Sequence, residues 1–311
     1  MPSAVGIDLG GTKLAGIRMD ERGEVLARAE APTPGDAEAI LEELLRLAAS
    51  LVADDARSVG VGAAGMVEFE AGALRFAPNL PLRDVPIRSL IEERSGLRCV
   101  VDNDANAAGW GEYRFGAARG HRNVLLVTVG TGIGGAIVMD GQLYRGAHGF
   151  ANEIGHVIVE PGGPRCGCGN LGCWEQVASG QALDRLAALE ASRDPGGAIA
   201  RAAEGADADG RAASRAALAG DEAARDIFQE VGKRLGEGLA GLVNVLDPDV
   251  VVIGGGVAEA GDLLLDPAKR AFHDTVEAVD FRPDIPIVAA ELGNEAGTMG
   301  AAALALELVQ A

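Results

Sequence analysis

Apolar and polar positions divide the chain into segments with two different periods. Alternation with a period of two, or a short apolar run, indicates a strand, and apolar residues at every third or fourth position indicate a helix. In the first third of the chain the pattern predicts strands over residues 4–8, 13–19, 24–29, 58–62 and 98–101, and helices over 36–52, 87–94 and from the 102–106 segment to about 112. The order βββαβα indicates an α/β lobe that begins with a hairpin.

The pattern then begins again. A strand over 124–129, the turn Gly130-Thr131-Gly132 and a strand over 134–139 repeat the plan of the first hairpin, and the segment 127–132 echoes the segment 7–12. The repeat predicts two lobes built on one plan. Chance similarity between two glycine-rich hairpins is the alternative.

The last third of the chain is mostly helical in pattern. Residues 180–220 are rich in alanine, arginine and aspartate and are interrupted at Pro195-Gly196-Gly197. The pattern then predicts a helix over 222–246, strands over 250–253 and near 285–289, and a terminal helix from about 296 that packs back on the first lobe. We therefore expect a small α/β lobe of residues 1–118, joined by the C-terminal helix (about 298–311), and a large α/β lobe of residues 119–297.

Composition and charge narrow the classes of function. A chain of 311 residues with 48% hydrophobic residues can bury a sizeable core and is not disordered. The formal net charge of −19 opposes binding to nucleic acid or to acidic lipid surfaces. No apolar segment approaches about 18 residues, and the first eight residues lack the basic start of a signal peptide. We expect a cytoplasmic protein that binds neither nucleic acid nor membrane.

Glycine, at 45 residues, has about twice its usual share, and three glycine turns directly follow strands. They are Gly10-Gly11-Thr12, Gly130-Thr131-Gly132 and Gly254-Gly255-Gly256. Glycine lets the backbone approach a phosphate and direct N–H groups at it, and threonine hydroxyls add donors. None of the turns fits the two standard nucleotide-binding patterns. A tight hairpin explains any one turn alone, whereas three turns in a two-lobed plan favour a nucleotide site.

Carboxylates stand at the ends of two predicted strands. Asp8, beside the first turn, is suited to hold a magnesium ion or its water shell, or to stabilise the turn. In Asp102-Asn103-Asp104, one residue is expected to cap the following helix. That leaves a second carboxylate to accept a proton from an attacking hydroxyl, and Asn103 to bind neighbouring hydroxyls. The residues alone leave both the structural and the catalytic role open.

The most specific local signal is a group of four metal-binding residues, His156, Cys166, Cys168 and Cys173. One imidazole and three thiolates form a closed tetrahedral set of the kind that holds structural zinc, with no position open for catalysis. A Cys166–Cys173 disulfide, which a reducing compartment disfavours, and buried thiols without metal are the alternatives. A zinc-bound segment over 156–173 would present Glu153, Glu175 and the second nitrogen of His156 to a polyol.

At these residues the sequence resembles the ROK family (repressors, open reading frames, kinases) of the sugar kinase, Hsc70 and actin superfamily, over essentially the whole chain. The resemblance rests on the segments 8–13, 103–106 with Gly111-Glu112, 130–135 and 153–175. The segments 62–67, 76–80 and 173–180 look most like the branch of bacterial ATP-dependent glucokinases. The implied fold is the two-lobed actin-like ATPase fold of α/β class, with an interlobe cleft.

The resemblance implies ATP-dependent phosphorylation of glucose to glucose 6-phosphate, with Asp104 as the general base. The implied sugar-binding residues are Gly65, Asn79, Asn103, Asp104, Glu153, His156 and Glu175. The implied ATP- and Mg²⁺-binding residues are Asp8, Gly10, Gly11, Thr12, Lys13, Thr131, Gly132, Gly254 and Gly255. The implied ligands of structural Zn²⁺ are His156, Cys166, Cys168 and Cys173. The family also implies a homodimer or homotetramer, and closure of the lobes on the sugar would exclude water.

Three other functions stay open. A ROK kinase of an N-acetylhexosamine, mannose or fructose would share most sugar-facing residues. A sugar-sensing regulator would carry a DNA-binding module before the first strand, for which a strand starting at about Ala4 leaves no room. A polyphosphate-dependent kinase would need a basic track, which the three lysines Lys13, Lys233 and Lys269 do not obviously supply.

Overall fold

The computed structural model describes residues 1–310, except for the side chain of Gln310; residue 311, the end of the predicted terminal helix, lies outside the described residues. The strands are β1 (Ser3–Leu9), β2 (Lys13–Asp20), β3 (Val25–Pro32), β4 (Ala56–Ala63), β5 (Met66–Glu68), β6 (Ala73–Phe76), β7 (Arg83–Val85), β8 (Arg98–Asn103), β9 (Val124–Val129), β10 (Ile133–Met139), β11 (Gln142–Tyr144), β12 (Val250–Gly254) and β13 (Ile287–Ala289). The helices are α1 (Ala37–Leu51), α2 (Ile87–Ser95), α3 (Asp104–Phe115), α4 (Glu175–Ala178), α5 (Gly180–Arg193), α6 (Ala198–Ala202), α7 (Gly210–Leu218), α8 (Glu222–Leu246), α9 (Asp262–Thr275) and α10 (Ala296–Gln310).

The predicted strands and helices all occur, with ends displaced by a few residues. The pattern missed the small antiparallel sheet of β5, β6 and β7, which occupies what reads as a proline-rich loop. These strands have three or four residues, too few for an alternation to be recognised. It also missed α9, which contains Pro267, a residue type that usually ends a helix.

Two five-stranded sheets have the same strand order, β3-β2-β1-β4-β8 and β11-β10-β9-β12-β13. In the first sheet, β2 pairs antiparallel with β1 and β3, and β4 pairs parallel with β1 and β8. In the second, β11 is antiparallel to β10 and β13 is parallel to β12. The predicted repeat of one plan is therefore confirmed.

The chain divides into two compact units. The first contains Met1–Leu126, Gly135–Asn152 and the described residues from Ala290 onward, and the second contains Val127–Gly134 and Glu153–Ala289. This division assigns residues 119–126, 135–152 and 290–297 to the first unit, whereas the predicted small lobe ends at 118. The domain boundaries at 118 and 297 stay a prediction.

In the first unit, helices cover both faces of the sheet. On one face, α1 buries a stripe with helical spacing that includes Ile40, Leu44 and Leu47. On the other face, α10 lies so close that a Cβ atom at Gly6 would be 2.0 Å from the carbonyl oxygen of Thr298. Such contacts tolerate only glycine at the sheet positions. The packing fixes the edge at which β1, β4 and β8 end.

In the second unit, a buried tryptophan anchors the segment that carries the three clustered cysteines. Trp174 is fully buried, and its indole N–H donates to the carbonyl of Arg234 on α8 at 2.9 Å. A Cβ atom at Gly238 would lie 2.2 Å from the indole ring, so α8 accommodates the ring only because this residue is glycine. Although α8 has 25 residues, none of the described helices combines the length and apolar content needed to cross a membrane.

Candidate active site

Two parallel strands and the start of a helix bring acidic residues to one edge of the first sheet. Asp8 on β1 is in register with Gly62 on β4, and Gly62 is in register with Asp102 on β8. Asn103 ends β8 and Asp104 is the first residue of α3. The C-terminal ends of parallel strands are a common location for ligand sites in α/β proteins.

Asp104 is a half-buried carboxylate at a helix N-terminus. Its Oδ1 accepts a hydrogen bond from the backbone N–H of Ala105 at 2.9 Å. Burial raises the pKa of Asp104 above its ordinary value, although hydrogen bonds from Asn103 and from the backbone act in the opposite direction. A carboxylate with a raised pKa holds a proton more readily than an exposed one, which suits a general base.

Asp8 lies close enough to Asp104 for their charges to interact. Burial and the charge of Asp104 raise the pKa of Asp8 to about 7, against the opposing charge of Lys13. Two carboxylates at one sheet edge disfavour each other's charged forms, and a hard cation with oxygen ligands would relieve that cost. The donor chemistry of this edge therefore fits a magnesium ion or its water shell.

Asn103 is the N-cap of α3, and both ends of its amide have protein partners. Its Oδ1 accepts from the N–H groups of Ala105 and Asn106 at 2.9 and 3.1 Å, and its Nδ2 donates to the carbonyl of Gly65 at 3.1 Å. Both lone pairs of Oδ1 are thereby used, whereas Nδ2 has a second N–H besides the one that it donates to Gly65. Gly65 has a φ of 141°, and a Cβ atom there would be 2.2 Å from the carbonyl oxygen of Phe76. Only glycine fits this position.

The first glycine turn joins β1 to β2. The N–H of Gly10 donates to the carbonyl of Lys13 at 3.2 Å, and the carbonyl of Gly10 accepts from the hydroxyl of Thr33 at 2.8 Å. Gly11, Thr12 and Lys13 are exposed, and a Cβ atom at Gly11 would contact the exposed Asn79 at 3.4 Å. Lys13 forms a surface ion pair with Glu30 at 3.6 Å. The turn is closed by its own backbone, and its outer residues are exposed.

The other two glycine turns lie in the second unit, around the N-terminus of α5. Ser179 caps α5, its hydroxyl donates to the carbonyl of Thr131 at 2.9 Å, and the N–H of Gly180 donates to the carbonyl of Gly130 at 2.8 Å. Gly255 follows Gly254 with a φ of 87°, and a Cβ atom there would be 2.5 Å from the carbonyl oxygen of Val129. Turns and a helix N-terminus together form a surface suited to phosphate.

The structure brings the four predicted zinc ligands together. One ligand atom from each of His156, Cys166, Cys168 and Cys173 lies within 4.8 Å of all the others. The Sγ atoms of Cys168 and Cys173 are 3.6 Å apart, and Sγ of Cys166 is 3.6 Å from Nδ1 of His156. Ligands about 2.3 Å from a central zinc ion are roughly 3.8 Å apart in a tetrahedron. The cluster therefore fits Zn²⁺, and all four cysteines of the chain are free rather than disulfide-bonded.

Two glutamates flank this cluster. Glu175, which begins α4, has Oε1 3.0 Å from Sγ of Cys166 and 3.7 Å from Nδ1 of His156. Glu153 has Oε2 4.0 Å from Nε2 of His156. Because Nδ1 faces the thiols, Nε2 is the nitrogen left to meet another ligand. A Cβ atom at Gly132 would be 2.4 Å from Oε2 of Glu175, so glycine lets this carboxylate approach the second turn.

The predicted site residues form two groups, one in each unit. The first contains Asp8, Gly10, Gly11, Thr12, Lys13, Gly65, Asn79, Asn103 and Asp104, and the second contains Thr131, Gly132, Glu153, His156, Cys166, Cys168, Cys173, Glu175, Gly254 and Gly255. Sequence reasoning missed Ser179, which its position before a helix and beside Gly180 could have identified as an N-cap. It also missed Arg145, whose Nε donates to Oδ2 of Asp102 at 2.7 Å and for which no local sequence signal exists.

Comparison with known proteins gives consistent matches over the whole length. The family profile of the ROK family matches residues 4–308. A glucokinase from Streptomyces coelicolor is 42% identical over 312 residues, 99% of this chain and 98% of the relative, and a glucokinase from Thermotoga maritima is 35% identical over 98% of each. A solved structure, a ROK family glucokinase from Streptomyces griseus in complex with glucose and AMPPNP, is 42% identical with a TM-score of 0.88, covering 98% of this chain and 99% of that chain.

Proposed function

The chain belongs to the ROK family, and from this premise we propose that it transfers the γ-phosphoryl group of ATP to glucose and forms glucose 6-phosphate. The actin-like ATPase fold that the resemblance implied is confirmed by the similarity to the glucokinase structure. The observation that carries the proposal is Asp104, an acid of raised pKa that follows the parallel strand β8 of a mixed sheet and begins α3.

Asp104 accepts the proton of the attacking sugar hydroxyl. Phosphoryl transfer has a loose transition state, so positioning of the hydroxyl and neutralisation of charge contribute more than covalent chemistry by the protein. The second N–H of Asn103 Nδ2 donates to a sugar hydroxyl, because Oδ1 already accepts two hydrogen bonds, and Gly65 and Asn79 lie on the same unit. Asn103 therefore serves the sugar as a donor, because capping of α3 uses its amide oxygen.

The remaining sugar contacts come from Glu153, His156 and Glu175. We assign hydroxyl recognition to Nε2 of His156, because Nδ1 faces the thiol cluster. A structural zinc ion held by His156, Cys166, Cys168 and Cys173 would fix the imidazole ring and take no part in the chemistry. The two glutamates accept hydrogen bonds from sugar hydroxyls.

ATP is bound mainly by backbone groups. The proposed residues are Gly10, Gly11, Thr12, Lys13, Thr131, Gly132, Gly254 and Gly255, and of the three lysines of the chain only Lys13 lies among them. Glycine turns and helix N-termini supply N–H donors to phosphate without basic side chains. Asp8 would hold a magnesium ion or its water shell, and the bound ion would supply positive charge to the phosphates.

The partners and location remain part of this proposal. We expect a cytoplasmic homodimer or homotetramer that binds sugar and ATP, but neither nucleic acid nor membrane, as the net charge of −19 favours. Light scattering coupled to size-exclusion chromatography gives the oligomeric state. A monomer at micromolar concentration would contradict that part.

A coupled ADP-release assay across sugars tests the function. Glucose, mannose, fructose, N-acetylglucosamine and N-acetylmannosamine are compared with ATP as donor, and kcat/KM is expected to be highest for glucose. A higher kcat/KM for another sugar would assign the chain to that substrate instead. Replacing ATP with polyphosphate distinguishes the donor, and no turnover is expected with polyphosphate.

A further inference from the structure

Asp102 is a deeply buried acid that the proposed chemistry does not use. Its side chain is 3% exposed. Oδ1 accepts from the backbone N–H of Asn103 at 2.8 Å and from Nδ2 of Asn106 at 2.9 Å, and Oδ2 accepts from Nε of Arg145 at 2.7 Å. The carboxylate therefore holds the residue before Asp104 by its backbone, and one arginine balances its charge.

Arg145 is itself held in a fixed orientation. It follows β11 in the chain, and its side chain is 21% exposed. Its guanidinium carbon lies 3.8 Å from the centre of the Phe69 ring, which restricts the plane of the guanidinium group. A partly buried arginine stacked on one side and bonded to a carboxylate on another has little freedom to find a different partner.

The loop that begins at Arg145 ends at Asn152, which is attached to the first turn of α3. Asn152 has a φ of 73°, and its Nδ2 donates to Oδ1 of the fully buried Asn106 at 2.9 Å and to the carbonyl of Tyr144 at 2.7 Å. The N–H of Ala151 donates to the carbonyl of Arg145 at 3.2 Å, which closes the loop. Residues 145–152 are therefore attached at one end to Asp102 on β8 and at the other end to Asn106 in the first turn of α3.

We propose that Arg145 is a positioning residue for Asn103 and Asp104 and acts through Asp102. The inference rests on the proposed role of Asp104. Without Arg145, Asp102 either stays charged and unpaired in the interior or takes up a proton on Oδ2, and both outcomes loosen the backbone before Asp104. A displacement of about 1 Å at a catalytic group lowers a rate roughly 100-fold.

Steady-state kinetics of variants at positions 145 and 102 test this role. Arg145→Met removes the charge and keeps an apolar side chain beside Phe69. In the double variant Asp102→Asn with Arg145→Met, the amide keeps an oxygen for the N–H of Asn103 and for Asn106, and no buried charge remains. Arg46→Met, which breaks an exposed pair with Glu43 on α1, is the matched control.

We expect kcat of Arg145→Met to fall roughly 100-fold with KM for ATP within about twofold of the parent value, and the double variant to recover at least fivefold over Arg145→Met. A kcat within threefold of the parent, a loss confined to KM, or no recovery in the double variant overturns the proposal. If Arg145→Met does not fold, Arg145→Gln, which also removes the charge, takes its place alone and combined with Asp102→Asn, and the same criteria apply. The ratio of the variant's kcat to the parent's kcat tests the role of Arg145. A parent protein without sugar-dependent ADP release would contradict the proposed function instead.

Discussion

Replacing Asp104 with asparagine should change activity and stability in opposite directions. The amide oxygen can still accept the hydrogen bond from Ala105, which is 2.9 Å in the parent, and Asn103 still caps α3. The variant cannot accept a proton, and loss of a general base costs 10² to 10⁴ in rate, so kcat should fall by about that range. Glucose binding, followed by the rise in Tm with added sugar, should remain.

Asp104→Asn should raise the free energy of unfolding because Asp8 and Asp104 are neighbouring carboxylates whose charges repel. A pKa of Asp8 raised from 3.8 to about 7 corresponds to roughly 4 kcal/mol of cost for its charged form. Burial causes the larger part and the charge of Asp104 the next. At pH 8, removing the charge of Asp104 and its own burial cost should raise the free energy of unfolding by on the order of 1 kcal/mol, or Tm by about 1–2 °C.

Kinetics and differential scanning calorimetry of Asp104→Asn measure both effects. Asp54→Asn, which changes an exposed carboxylate of the same unit, serves as the control and should alter neither kcat nor Tm. Near-parental activity would refute Asp104 as the base. A fall in Tm with a folded, sugar-binding protein would refute the electrostatic reasoning, because it would mean that the charge stabilises the edge.

Three further outcomes follow from the same structure. Because the pKa of Asp8 is raised, Asp8 binds a proton more tightly in the folded protein than in the unfolded chain, and its contribution to stability is lost as pH rises from about 4 to 7. The gain in Tm from Asp104→Asn should therefore grow between pH 5 and 8, and a constant gain would contradict this. Cys168→Ser should abolish stoichiometric zinc binding, measured by metal analysis, and lower Tm and glucose affinity together. Cys99→Ala, outside the cluster, should keep one zinc ion per chain, and an active parent protein without zinc would contradict the zinc site. Gly255 has a φ of 87°, so Gly255→Ala should lower the free energy of unfolding by about 1–3 kcal/mol and raise KM for ATP. Gly256→Ala, where no atom lies within 4 Å of the new Cβ, should do neither, and equal effects of the two variants would contradict the steric account.

Local periodicity was sufficient for most of the fold. The stripe of Ile40, Leu44 and Leu47 predicted α1, and the apolar runs predicted β1, β9 and β12, because each element buries one face or both against a neighbour. Very short strands such as β5 and β7 carry no period, so their pairing depends on the rest of the fold. Pro267 concealed α9, since a proline can be accommodated inside a helix where packing compensates for the lost hydrogen bond.

Some features of the candidate site could be predicted from the sequence, whereas others depend on the folded chain. The spacing of His156, Cys166, Cys168 and Cys173 predicted a cluster that the structure contains. Which residue of the 102–104 segment caps α3 could not be read from sequence, because both aspartate and asparagine are good N-cap residues. The pairing of Asp102 with Arg145 joins residues 43 positions apart and appears only once the chain is folded.

The most direct test of the central proposal is identification of the product by ³¹P NMR after incubation of the protein with glucose, ATP and Mg²⁺. The account predicts glucose 6-phosphate and ADP in equal amounts, with neither formed when glucose is omitted. Phosphate on another hydroxyl of glucose would contradict the account. Formation of ADP and free phosphate without any sugar phosphate would also contradict it.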